Sequence, residues 1–129
     1  MRREATLIAA LLAATPALAQ PAGTFAIAGE VFAPADILDA RALPVVGGGA
    51  IIMLTFTKAA AKRIEKITTA RVGQPIRIML DGEILMEPIV HEPLSSNVVH
   101  ISSNFGIDEA VAKAKRISGK DPLPEDLAE

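Results

Sequence analysis

The chain has 129 residues, half of them hydrophobic but only 3% aromatic, with 13 basic and 15 acidic side chains and no cysteine, tryptophan or tyrosine. A net charge near −2 is the wrong sign for gripping phosphates, so nucleic acid is not an expected ligand. Without cysteine there is no thiol enzyme, no zinc–thiolate site and no acylated lipoprotein anchor, and without Trp or Tyr the usual stacking platforms for sugars and bases are missing.

The first twenty residues read as a secretory leader. Arg2 and Arg3 are basic, Leu7 to Ala14 is apolar, and Ala17-Leu18-Ala19 places small residues at −3 and −1 of a cut before Gln20. The apolar run is shorter than the ~20 residues a spanning helix needs, and Pro16 interrupts it. Removing residues 1–19 takes away Arg2, Arg3 and Glu4, which leaves a net charge of about −3. The expected organisation is a leader over 1–19, one domain over 20–121 and an acidic tail over 122–129. No second long apolar run follows, so the exported chain is expected to carry no integral membrane segment and to reside in the periplasm of a Gram-negative bacterium.

Thr24 to Ile27 is a short strand ended by Ala28-Gly29. Val31 to Leu43 suits an irregular strand, because Pro34 opposes a helix there. Gly47-Gly48-Gly49 is a flexible loop without the spacing or following lysine of a phosphate loop. Ala50 to Phe56 is a continuous apolar strand. Thr57 is placed to N-cap a helix whose inner stripe is Ala60, Ala61, Ile64, Ile67 and Ala70 or Arg71, with Gly73 as its left-handed end. Pro75 to Leu80 and Glu83 to Met86 flank Asp81-Gly82, which predicts a type I′ hairpin. That turn sets Leu80 against Glu83, Met79 against Ile84 and Ile78 against Leu85. Pro88 and Pro93 bracket Ile89 to Glu92, which therefore reads as a sheet edge or bent extension. Val98 to Ile101 is a further strand. The second helix starts at Asn104 or Gly106, turns Ile107, Ala110, Val111, Ala114 and Ile117 inward, and ends at Gly119. Strands, helix, strands, helix with short connections predict an α+β fold: a single mixed or antiparallel sheet with two helices on one face.

Several of these residues recur together in a known family. Leu54-Thr55, the Ala-rich helix, Ile67-Thr68, Val72-Gly73, Ile78 to Gly82, Ile84-Leu85, Pro88-Ile89, Ile101-Ser102, Phe105, Glu109-Ala110 and Leu123-Pro124 resemble the head subdomain of the first periplasmic domain of SecD. SecD is an accessory membrane component of the bacterial Sec translocation machinery. The resemblance covers residues 25–124 and is most specific from Val72 to Pro88. It departs at Ser95-Ser96-Asn97, where the family is glycine-rich, and near Ser102-Ser103, where the family usually carries a glycine. It implies an α+β fold, a periplasmic setting and contact with emerging unfolded preprotein. The family's membrane helices and base subdomain have no counterpart in this sequence, so coupling to proton flow is not implied.

Chemistry is sparse. His91 and His100 are the only histidines, on different strands. A small hydrolase or a metal site built on His91 with Glu87 or Glu92 is the enzymatic alternative, but no third nitrogen ligand exists. Ser95, Ser96, Ser102 and Ser103 sit in no nucleophile elbow. The sequence is therefore read as having no catalytic residues, no metal and no cofactor. The favoured reading is a non-catalytic envelope module that pairs with an extended polypeptide at a sheet edge. Its expected contact residues are Met86, Ile89, Val90, His91 and Glu92, with the loop Gly47, Gly48 and Gly49. A regulatory subunit docked on a membrane complex is a third reading, with a Sec or other envelope component as partner. A second copy in a homodimer is an alternative cover for the hairpin's outer face.

Overall fold

In the computed structural model, residues 22–124 are described; the leader expected over 1–19 lies outside them. Seven strands and two helices follow in the order β1 (Phe25–Ile27), β2 (Glu30–Phe32), β3 (Ile37–Pro44), β4 (Ala50–Phe56), α1 (Lys58–Thr69), β5 (Ile78–Leu80), β6 (Glu83–Met86), β7 (Val98–Phe105) and α2 (Ile107–Ser118). All strand pairs are antiparallel. The class is α+β, as expected, but the strands form two sheets rather than one. The order is β2-β1-β5-β6 in one and β3-β4-β7 in the other. The break falls at Ala33–Asp36, where a 3-10 turn beginning at Pro34 ends β2 and redirects the chain into β3. The Asp36 carboxylate accepts the Ala33 N–H at 2.9 Å and fixes that corner.

One core joins the layers. On β4, Ala50, Ile52, Leu54 and Phe56 are buried while Ile51, Met53 and Thr55 are half-buried, the two-residue alternation of a sheet with one covered face. Buried Ala60, Ile64 and Ile67 of α1 and Ala110, Ala114 and Ile117 of α2 pack into the same core as Phe25, Ile27, Ile78 and Leu80 of the first sheet. All four phenylalanines are buried. Phe32 and Phe56 meet edge to face, with centroids 5.7 Å apart, and so tie the two sheets together. The Arg63 guanidinium covers the Phe32 ring at 4.1 Å.

The helix reading holds at its starts and shifts in detail. The Thr57 side chain accepts the Ala60 N–H at 3.1 Å, and Gly119 closes α2 with φ of 75°. Helix α1 instead stops at Thr69 with a right-handed cap at Ala70, so Gly73 belongs to the turn beyond it. On α2, Ile107 and Val111 are exposed, and the inward stripe narrows to Ala110, Ala114 and Ile117. Small residues there let the helix lie close along β3.

The β5–β6 hairpin has its expected turn: φ is 53° at Asp81 and 82° at Gly82. Leu80 faces Glu83 and Met79 faces Ile84, but Ile78 faces Met86. Leu85 is the extra residue of a β-bulge, which corrects the expected Ile78–Leu85 pair. Leu85 is buried at 4% exposure beside buried Ile78, and the bulge brings half-buried Met86 into the place across from Ile78.

Beyond α2 the described chain is held at Leu123. The buried Asp39 carboxylate accepts the Leu123 N–H at 2.8 Å and bonds Arg41 Nε at 2.6 Å. Arg41 Nη2 in turn donates to the Leu123 carbonyl at 2.6 Å.

Candidate polypeptide-binding cleft

β6 ends at Met86, and from Pro88 to Val90 the chain runs extended against Gly73–Ile76. The Ile76 N–H donates to the Pro88 carbonyl at 2.9 Å, the Val90 N–H to the Gln74 carbonyl at 2.9 Å, and the Gly73 N–H to the Val90 carbonyl at 2.7 Å. Ile89 pairs with Pro75 as the intervening bridge. In such a ladder the groups of alternate residues face opposite ways. Val90 spends its N–H and C=O inward, so those of Ile89 and His91 point away from the sheet, and none of them meets a partner among the described residues. The segment then turns back over α1, where the Leu94 N–H donates to Thr68 Oγ1 at 2.9 Å. That hydroxyl donates at 2.9 Å to the Ile64 carbonyl.

A second edge lies opposite. The Phe56 N–H donates to the Asn97 carbonyl at 2.8 Å, which sets the phase of the β4–β7 ladder. Leu54–Val99 and Ile52–Ile101 are then the hydrogen-bonded pairs, and the backbone of His100 turns away from β4. No strand pairs with β7 on that side among the described residues. The Val98 N–H is taken by Ser96 Oγ at 3.1 Å, which makes Ser95-Ser96-Asn97 a turn.

Between β6 with its extension and β7 lies a cleft of about 430 Å³. Its floor is apolar: Ile76, Ile78, Val90 and Val99 are buried, and Met86 is half-buried. Ile89 stands 54% exposed at the lip, with His91, Glu92 and His100 around it. Five of the residues singled out from sequence, Met86, Ile89, Val90, His91 and Glu92, therefore line one cavity. The structure does not bring Gly47, Gly48 and Gly49 to it. They form the tip of the β3–β4 hairpin, all with positive φ, closed by the Val45 N–H on the Gly49 carbonyl at 3.0 Å. Thr55, whose partner Val98 lines the cleft, is six residues along β4 from that tip, roughly 20 Å at strand spacing.

Sequence reading missed Thr68, Leu94 and Val99 as parts of the site. Thr68 carried a signal, being a polar residue one step from Ile67 and four from Ile64 on the helix's apolar stripe.

The acid–base alternative gains little from the geometry. Glu87 faces Arg77 Nε at 3.1 Å rather than His91. Among the described residues no three His, Asp or Glu side chains gather as a metal would require. No helix among them is long and apolar enough to cross a membrane.

Comparison with known proteins places this arrangement. The family model for the SecDF P1 head subdomain matches residues 19–119. The protein translocase subunit SecDF of Thermus thermophilus is 33% identical over 97 residues, which cover 74% of this chain and 13% of that protein. SecD of Petrotoga mobilis is 33% identical over 93 residues, covering 71% of this chain and 20% of its own length. A solved structure of SecDF, described as a membrane component that enhances protein export, superposes with a TM-score of 0.62 at 30% identity. That match covers 70% of this chain and 41% of the other. SecDF in its super-membrane-facing form gives a TM-score of 0.61, also at 30% identity, with 70% of this chain and 12% of that one covered. The chain thus spans only a fifth or less of the SecD and SecDF proteins it resembles in sequence. On the match across residues 19–119, this chain belongs to the SecDF P1 head subdomain family.

Proposed function

We propose that the protein is a non-catalytic periplasmic binding module that holds extended, unfolded exported polypeptide in the cleft between β6 and β7. The observation that carries this reading is the unpaired N–H and C=O of Ile89 and His91, set two residues apart on the lip of an apolar cavity. A chain laid along that edge gains main-chain hydrogen bonds whatever its sequence, which suits an unfolded client. The names of its relatives, protein translocase subunits, support the same direction. The leader-like residues 1–19 support export to the periplasm.

The test is titration of the protein with a reduced, alkylated, permanently unfolded protein while backbone amide NMR shifts are followed. Shifts concentrated at Ile89–Glu92 and Val98–His100 are expected. Ile89→Asp, at an exposed position that leaves the fold intact, should weaken binding about fivefold or more by placing a charge on the apolar lip. No binding, or shifts confined to α2 and the β3–β4 tip, overturns the proposal.

A further inference from the structure

The chemistry of the cleft also specifies what kind of segment it takes, an inference that rests on the strand-binding reading above. We infer that the bound segment is short and uncharged with apolar side chains along its middle, and basic rather than acidic where it passes Glu92.

The first part follows from the floor. A strand laid along Ile89 and His91 sends alternate side chains down into the cavity. There they meet buried Ile76, Ile78, Val90 and Val99. The one hydroxyl at this level, Thr68 Oγ1, already donates to Ile64 and accepts from Leu94. A charged side chain directed downward would lose its water and find no partner, a cost of several kcal/mol in a desolvated site. The size of the cavity, about 430 Å³, limits the run to a few residues.

The second part follows from charge. No lysine or arginine lines the cleft. Counting histidine as neutral, Glu92 is the only charged lining residue. Glu87, just outside, is already engaged by Arg77. The exposed Glu92 carboxylate has no ion-pair partner among the described residues. A lysine or arginine on the client meets an open carboxylate there, while a glutamate or aspartate meets repulsion. Both effects act at the rim, in water, and so are modest and screened by salt.

Three synthetic peptides test this on the intact chain. One alternates valine and threonine between terminal lysines. A second has terminal glutamates instead. A third keeps the lysines but replaces the central valine by aspartate. At low salt the lysine-ended peptide should bind at least threefold tighter than the glutamate-ended one. That preference should collapse in Glu92→Gln and in 0.5 M salt, and the central aspartate should cost at least tenfold. Equal binding of all three peptides, with amide shifts at Ile89–His91, overturns this selectivity and leaves strand binding standing. So does a lysine preference that survives Glu92→Gln. Binding by none of them at those amides removes both proposals. A peptide N-methylated on the amides facing the edge separates main-chain pairing from apolar contact, and should bind at least tenfold more weakly.

Discussion

Asp39 is a carboxylate at 3% exposure in a small protein, and its neighbours explain why it is tolerated. Burial alone would raise its pKa. The hydrogen bond from Arg41, the Leu123 N–H and the positive charges of Arg41 and Lys120 outweigh burial and hold it below the usual carboxylate value. A folded-state pKa below the unfolded one means that the stabilisation is fully present above about pH 4, the unfolded value, and is lost as pH falls through the folded value. Asp39→Ala should therefore cost about 1–3 kcal/mol near neutrality, through lost bonds and an uncompensated Arg41. The gap from the parent protein should narrow as denaturation is repeated toward pH 2. A gap that stays constant with pH would show that the ionised form is not what stabilises. Asp81 works on the surface in the same sense. Arg116 and the Thr24 N–H lower its pKa, so a turn residue also pins β1 and α2.

At the level of elements, β6 divides its side chains between core and surface, with Leu85 buried and Ile84 exposed. Leu85→Ala should cost about 2–4 kcal/mol, as for other buried leucines. Ile84→Ala, at 47% exposure, should change stability by less than about 0.5 kcal/mol. Urea denaturation of the two variants checks the contrast, and similar losses for both would refute the placing of Leu85 in the core and Ile84 at the surface. This hairpin shows where sequence reading runs out. The Asp81-Gly82 turn was legible because only certain residues accept positive φ at two successive positions. The pairings beside it, Leu80–Glu83 and Met79–Ile84, followed from the turn. The third did not, because the bulge at Leu85 shifts the register by one residue and the two-residue turn carries no mark of it. The same limit hid the second sheet: strands that pair β1 with β5 across fifty residues leave no local mark. Half of the cleft was legible too, since Pro88 and Pro93 announce an edge. Its opposite wall, Val98 to His100, becomes a neighbour only through tertiary packing.

Taken whole, the molecule is two open sheets sharing a core, fastened at Phe32–Phe56, with one edge of each facing a common cleft. The Leu123 contacts add a consequence for how this unit is to be excised. The family model matches residues 19–119, yet Asp39 and Arg41 are satisfied by a residue four positions beyond that match. A polypeptide stopped after Gly119 should melt several degrees below one that runs through Pro124, given about 4–8 °C per kcal/mol for a domain of this size. Equal melting temperatures by calorimetry would make the strap ornamental. Transplanting this module onto another scaffold should therefore carry the strap along, or begin by replacing the buried acid it serves.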